Sequence, residues 1–131
     1  MFKANALDAG FDLAATEPGI VKHDRVLSVP TGEFGTIPPG HVGLICPRSG
    51  LAAKHGVFVV NAPGVIDAGY TGEIKVLLSK VGKEPMSVQK GDRIAQLVVV
   101  PLSNYLPQVT SDRAEKGFGS SGLTTDENQV D

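Results

Sequence analysis

Arg93-Ile94-Ala95-Gln96-Leu97-Val98-Val99-Val100-Pro101-Leu102 is a nearly continuous apolar run rich in β-branched residues. Such residues favour a pleated strand over a helix. Leu97 to Val100 offers no polar side chain to place toward water, so this strand needs cover on both faces. A chain of 131 residues has room for one hydrophobic core, and the second cover is expected from another subunit. Outward from this run, Arg25 to Val29, His41 to Cys46, Val57 to Val60 and Glu73 to Leu78 are further short β-rich runs. Between them stand Pro38-Pro39-Gly40, Pro47, Pro63-Gly64, Gly82 and Gly91. Glu73 to Val76 alternates polar and apolar, as a half-buried strand does. Short strands at this spacing predict an all-β sandwich, barrel or jelly roll.

Gly and Pro, 16 and 9 residues, make up nearly a fifth of the chain and leave few stretches long enough for a helix. One short helix is predicted, Ser49 to His55, with Ser49 as N-cap and Gly56 as the left-handed residue that closes it. Twelve basic against fourteen acidic residues, a net charge of −2, argue against binding nucleic acid by bulk charge, so any anion site is local. The single cysteine, Cys46, has no intramolecular partner and points to a reducing compartment. No apolar run approaches the roughly 18 residues of a membrane span, and the start does not read as a signal peptide. A cytoplasmic protein is expected, or one of a phage or virus working in the host cytoplasm. From Asp112 onward Gly, Ser, Thr and acidic residues dominate. The expected division is therefore a β domain over 1–111 and a flexible arm over 112–131.

Three segments carry candidate chemistry. In Pro47-Arg48-Ser49-Gly50-Leu51-Ala52 a guanidinium and a hydroxyl stand where a helix start frees backbone N–H groups, which suits a phosphate; a cap and a solvated cation would use the same residues. Asn61 to Lys75 holds Gly64, Gly69 and Gly72 around Ile66, Asp67 and Tyr70. Such a segment lets main-chain groups read a flat base edge while an acid orients water, or it is a hairpin with Asn61 and Asp67 in ordinary turn roles. Arg113-Ala114-Glu115-Lys116-Gly117-Phe118-Gly119-Ser120-Ser121-Gly122 joins cations, Gly and Ser amides and an aromatic face, without Walker-loop spacing. A mobile surface tail is the plainer reading.

Together with Ala9-Gly10-Phe11-Asp12-Leu13 and Gly91-Asp92-Arg93-Ile94-Ala95-Gln96-Leu97, these segments stand in the order of five motifs spanning nearly the whole chain. In this the sequence resembles the trimeric dUTP pyrophosphatase (dUTPase) family. The resemblance implies a jelly-roll-like β-barrel, a homotrimer with shared active sites, and a C-terminal arm that closes over a neighbouring site. It implies hydrolysis of dUTP to dUMP and pyrophosphate by water attack on the α-phosphorus, with Mg²⁺. That reaction limits uracil incorporation into DNA and supplies dUMP for dTMP synthesis.

By the same resemblance Asp67 orients the water and Gln96 helps hold it. Arg48, Ser49 and Gly50 meet the phosphates, as does Gln96. Asn61, Gly64 and Ile66 lie along the uracil, Tyr70 packs under the deoxyribose, and Lys75, next after the third motif, is a substrate-binding residue. Arg113 meets the γ-phosphate, Phe118 covers the base, and Gly119 and Ser120 belong to the closing arm. Asp12 reaches Mg²⁺ only through water, since Mg²⁺ prefers phosphate oxygens and water to a protein cage.

Ala114 and Lys116 stand where the family usually carries Gly, and only eight residues precede Ala9, so a first strand is expected to be clipped or absent. His41 and His55 read as strand-start and helix-end residues, His23 as solvated and Cys46 as a small apolar residue. An Asp92–Arg93 ion pair, at a subunit contact or bordering the site, remains open. So do two other functions: a dCTP deaminase-like enzyme of the same fold, and a nucleotide-sensing regulator.

Overall fold

Every long run bounded by Gly or Pro forms a strand in the computed structural model of the chain, which describes residues 1–103. The elements are β1 (Gly10–Ala14), β2 (Gly19–Val21), β3 (Leu27–Phe34), β4 (His41–Cys46), α1 (Ser49–His55), β5 (Val57–Val59), β6 (Gly64–Ile66), β7 (Glu73–Lys80), β8 (Met86–Val88) and β9 (Arg93–Pro101). The arm with Arg113, Phe118, Gly119 and Ser120, and the boundary expected at residue 111, lie outside the described residues.

The strands pair antiparallel into a four-stranded sheet, β1-β9-β4-β6, a three-stranded sheet, β3-β7-β5, and a two-stranded ribbon, β2-β8. The all-β expectation with one short helix holds, but the sheets stay open and do not close into a barrel. Alternation does the folding work: Ile74, Val76 and Leu78 of β7 are buried, and they meet Leu13 of β1 and Ile45 and Leu97 of the facing sheet in one core. Burying each such side chain contributes about 1.5–3 kcal/mol.

Several details differ from expectation. β3 begins at Leu27 because Asp24, at φ 67°, turns the chain just before it. It continues past Pro30 through an irregularity at Gly32, φ 70°, where Thr31 donates its hydroxyl to the Ile74 carbonyl and the Glu73 carboxylate accepts the Gly32 N–H. Ser49 is not the N-cap. Arg48, in extended conformation, holds that position without a side-chain cap bond, while Gly56 closes α1 at φ 67° as expected. Ahead of β1, Phe2 bridges Asp12, whose N–H donates to the Phe2 carbonyl at 2.8 Å. The edge of β1 is therefore touched rather than bare.

Asn61 to Gly72 is not a simple hairpin. β5 and β7 pair with each other, yet the chain between them crosses to the opposite sheet, where β6 pairs with β4 before the return. Leu97 faces the protomer's own core, whereas Val98 and Val100 are half-buried on the other face. There the register sets them beside Leu44 and Val42, with Val65 next to Leu44 and 60% exposed.

Candidate functional site

Asp12 and Gln96 face each other across β1 and β9, and Cys46 of β4 faces Gln96 from the other side. Gly10 makes this arrangement possible: a Cβ there would collide with the Gln96 side chain, which lies across β1. The Gln96 amide donates to the Pro47 carbonyl at 3.0 Å, fixing the turn from β4 into α1. From that turn Arg48 reaches back, its Nε 3.9 Å from Asp12 Oδ1, and its Nη1 donates to the Arg93 carbonyl at 3.1 Å. The Arg93 guanidinium stands 3.4 Å from Asp12 Oδ2. Two guanidiniums around one carboxylate leave a net positive charge at this strand end, with Ser49 and Gly50 exposed beside it. Among the described residues the Ser49 hydroxyl has no partner.

The third motif is elsewhere. Asn61 is exposed in the turn before β6, and a Cβ at buried Gly64 would meet its Nδ2 at 3.2 Å. Ile66 packs its side chain against the core at the end of β6, opposite Gly43 of β4. Asp67 is exposed in a turn closed by the Tyr70 N–H donating to the Asp67 carbonyl at 3.1 Å. Tyr70 donates its hydroxyl to the Glu73 carbonyl at 2.7 Å and lies against Gly35 and Gly72, where no side chain would fit. Lys75 is exposed on β7, opposite Pro30.

These two groups do not meet within one chain. Ile66 faces Gly43, whereas Arg48 lies beyond Cys46 at the other end of β4. The intervening strand residues alone span about 10 Å, and Asp67 continues away from Arg48. Of the sequence-derived candidates, Asp12, Arg48 and Gln96 come together, and Asp67 and Tyr70 form a second group.

Arg93, left undecided by the sequence, pairs with Asp12, while Asp92 accepts the Gln89 N–H at 2.8 Å instead of pairing with its neighbour. His41 Nδ1 lies 3.0 Å from the Pro39 carbonyl at the start of β4, His55 ends α1, and His23 is exposed. Cys46 is half-buried at the end of β4. Among the described residues no three His, Cys, Asp or Glu side chains converge to hold a metal, and no helix is long and apolar enough to cross a membrane.

Fold and site together define an all-β protein with a cationic strand end suited to phosphate and a separate acid-bearing turn. The dUTPase family model matches residues 1–122. A deoxyuridine 5'-triphosphate nucleotidohydrolase of Bifidobacterium longum (strain DJO10A) is 49% identical over 128 residues, covering 93% of this chain and 81% of the relative. One from Anaeromyxobacter sp. (strain Fw109-5) is 48% identical over 115 residues, covering 88% and 78%. Among solved structures, the dUTPase of Streptococcus mutans superposes with a TM-score of 0.73 at 26% identity, covering 80% of this chain and 87% of that one. A mutant dUTPase from phage phi11 of S. aureus, described with a coordinated structural Mg(II) ion, gives 0.72 at 25% identity, covering 84% and 88%. The chain belongs to the dUTPase family.

Proposed function

We propose that the protein is a dUTP diphosphatase that hydrolyses dUTP to dUMP and pyrophosphate in an active site pooled from three copies of the chain. The observation that carries the pooled site is the placement of Asp67 and Arg48 toward opposite ends of β4, so that one protomer does not bring the acid and the phosphate-facing cations together. The outward row of Val42, Leu44, Val65, Val98 and Val100 supports assembly, because a half-exposed aliphatic sheet face gains from cover by another copy.

In this reading Asp67 is the ionised general base that orients water toward the α-phosphorus. Main-chain groups from Gly64 to Ile66, with Asn61, pair with the uracil edge. Cytosine would meet these donors and acceptors with the wrong partners and leave buried polar groups unpaired. Tyr70 presents a ring whose hydroxyl is already committed to Glu73, so an apolar face lies under the sugar and leaves no room for a 2′-hydroxyl. Arg48, Ser49 and Gly50 receive phosphate oxygens, and Gln96 stays anchored on Pro47 beside them. Arg113 and Phe118, with Gly119 and Ser120, close over the nucleotide and exclude water.

A divalent metal is in keeping with the family. The donor set fits Mg²⁺ carried by the triphosphate, since Asp12, flanked by two arginines, can meet it through water but forms no cage. When bound, the ion would supply charge neutralisation to the phosphates. Work in the cytoplasm, or in the host cytoplasm for a phage or viral protein, matches a nucleotide substrate. Deamination of dCTP is not favoured, because the relatives quoted above are named as nucleotidohydrolases. Incubation with dUTP, dCTP, dTTP and UTP tests the proposal: turnover confined to dUTP is expected, and comparable turnover of all four would reject the pocket.

A further inference from the structure

The register of β9 against β1 is broken at one point. Leu13 faces Ala95, but Ala14 faces Arg93, so β9 carries one extra residue there. The burial pattern carries the same mark: Ile94 and Ala95 are consecutive, and both are buried at 2% and 0% exposure. An unbroken ladder would set Ile94, not Arg93, on the face shared by Gln96 and Asp12, because side chains alternate along a strand. The bulge reverses that parity. Arg93 now projects on the same face as Asp12, two residues from Ala14, and its Nη1 reaches Asp12 Oδ2 at 3.4 Å. Bulges beside functional sites commonly re-aim a side chain in this way.

Resting on the function proposed above, we infer that Arg93 is a positioning residue for the phosphate site, delivered to Asp12 by the β9 bulge. It acts through two groups at once. Its guanidinium balances the Asp12 carboxylate from the side away from Arg48, and its carbonyl accepts the Arg48 Nη1 hydrogen at 3.1 Å. Without it Asp12 would be drawn wholly onto Arg48, and the guanidinium meant for phosphate would be occupied by the protein's own carboxylate. With it, Asp12 has a second partner; the main-chain acceptor that aims Arg48 is set by the bulged backbone and stays in place whatever side chain position 93 carries. The side chain is 53% exposed, so the ion pair contributes little to folding stability. Its value lies in geometry.

The test compares wild type, Arg93→Gln and Arg93→Lys by calorimetric binding of dUMP and of a non-hydrolysable imido analogue of dUTP. Both titrations are run with Mg²⁺ and with a chelator, alongside thermal melts and steady-state kinetics. Arg93→Gln is expected to weaken analogue binding in Mg²⁺ by about 10- to 100-fold, the usual scale for loss of a supporting partner. It should raise the Mg²⁺ concentration needed for half-maximal turnover and leave dUMP, which lacks the terminal phosphates, and the melting temperature nearly unchanged. Arg93→Lys should recover part of the loss, since the charge returns without the fork. The inference is overturned if Arg93→Gln changes analogue binding by no more than about twofold, the scale of an exposed ion pair alone. It is equally overturned if dUMP and analogue binding fall by the same factor together with a lowered melting temperature. Failure of the wild-type protein to turn over dUTP would overturn the underlying function instead, and separates the two.

Discussion

The side chain of Gln96 occupies the space above Gly10 that a β-carbon would need, so a residue of the first motif and one of the fourth interlock across β1 and β9. Because Gln96 also donates to Pro47, a change at Gly10 propagates to the turn that presents Arg48. Gly10→Ala is expected to cost about 1–3 kcal/mol of stability, the range for overpacking. Its turnover should fall further than that loss explains while the protein remains folded at assay temperature. Urea melts beside steady-state kinetics check this; wild-type turnover would show that the Gln96 position does not matter.

Asp67 is exposed in a turn held by its own carbonyl, so its side chain is not needed for folding. Asp67→Asn should therefore lower turnover by about 10²- to 10⁴-fold, the typical worth of a positioned acid or base. Binding of the non-hydrolysable analogue and the melting temperature should stay close to wild type. A variant with near-normal rate would remove Asp67 from the reaction.

Tyr70 offers two separable changes. Tyr70→Phe removes the hydrogen bond to the Glu73 carbonyl, costs about 1 kcal/mol of stability, and keeps the ring and the preference for dUTP over UTP. Tyr70→Ala removes the ring proposed to lie beneath the sugar and is expected to raise turnover of UTP relative to dUTP by at least about tenfold. The ratio of the two substrates' kcat/KM reads the difference. An unchanged ratio in Tyr70→Ala would contradict the packing role.

The aliphatic row on the outer face of the four-stranded sheet predicts the behaviour of Val98→Asp. A charge placed among Leu44, Val65 and Val100 should shift the protein toward monomer in light scattering and abolish turnover together with assembly, while the core behind Leu97 keeps the strands folded. An active, fully assembled variant would place the interface elsewhere.

The sequence announced those elements whose signal is local. β4, β5, β7 and β9 lie in runs of apolar or alternating residues with Pro or Gly within a few positions of their ends, and Gly56 marks the end of α1 because it closes it in the left-handed conformation. β2, β6 and β8 have three residues each, as β5 does, but each includes a Gly or a polar residue instead of an unbroken apolar run, so no local pattern reveals them. For the same reason Asn61 to Gly72 read as a hairpin although it spans two sheets. At the site, Asp12, Arg48 and Gln96 were legible as motif residues. Arg93 stood in the fourth motif as well, but its pairing with Asp12 was not legible, because its direction depends on a bulge that adjacent Ile94 and Ala95 betray only once both are seen to be buried.

Mixed assembly of two inactive variants tests the pooled site most directly. Arg48→Gln lacks the cation proposed to meet the phosphates and Asp67→Asn lacks the proposed acid, and each alone should be inactive. If the two groups act on one nucleotide from different chains, refolding the variants together in equal amounts should restore activity. About a quarter of the sites would then join an intact Asp67 from one chain to an intact Arg48 from another. A mixture that assembles fully yet stays as inactive as its components would contradict a site shared between chains.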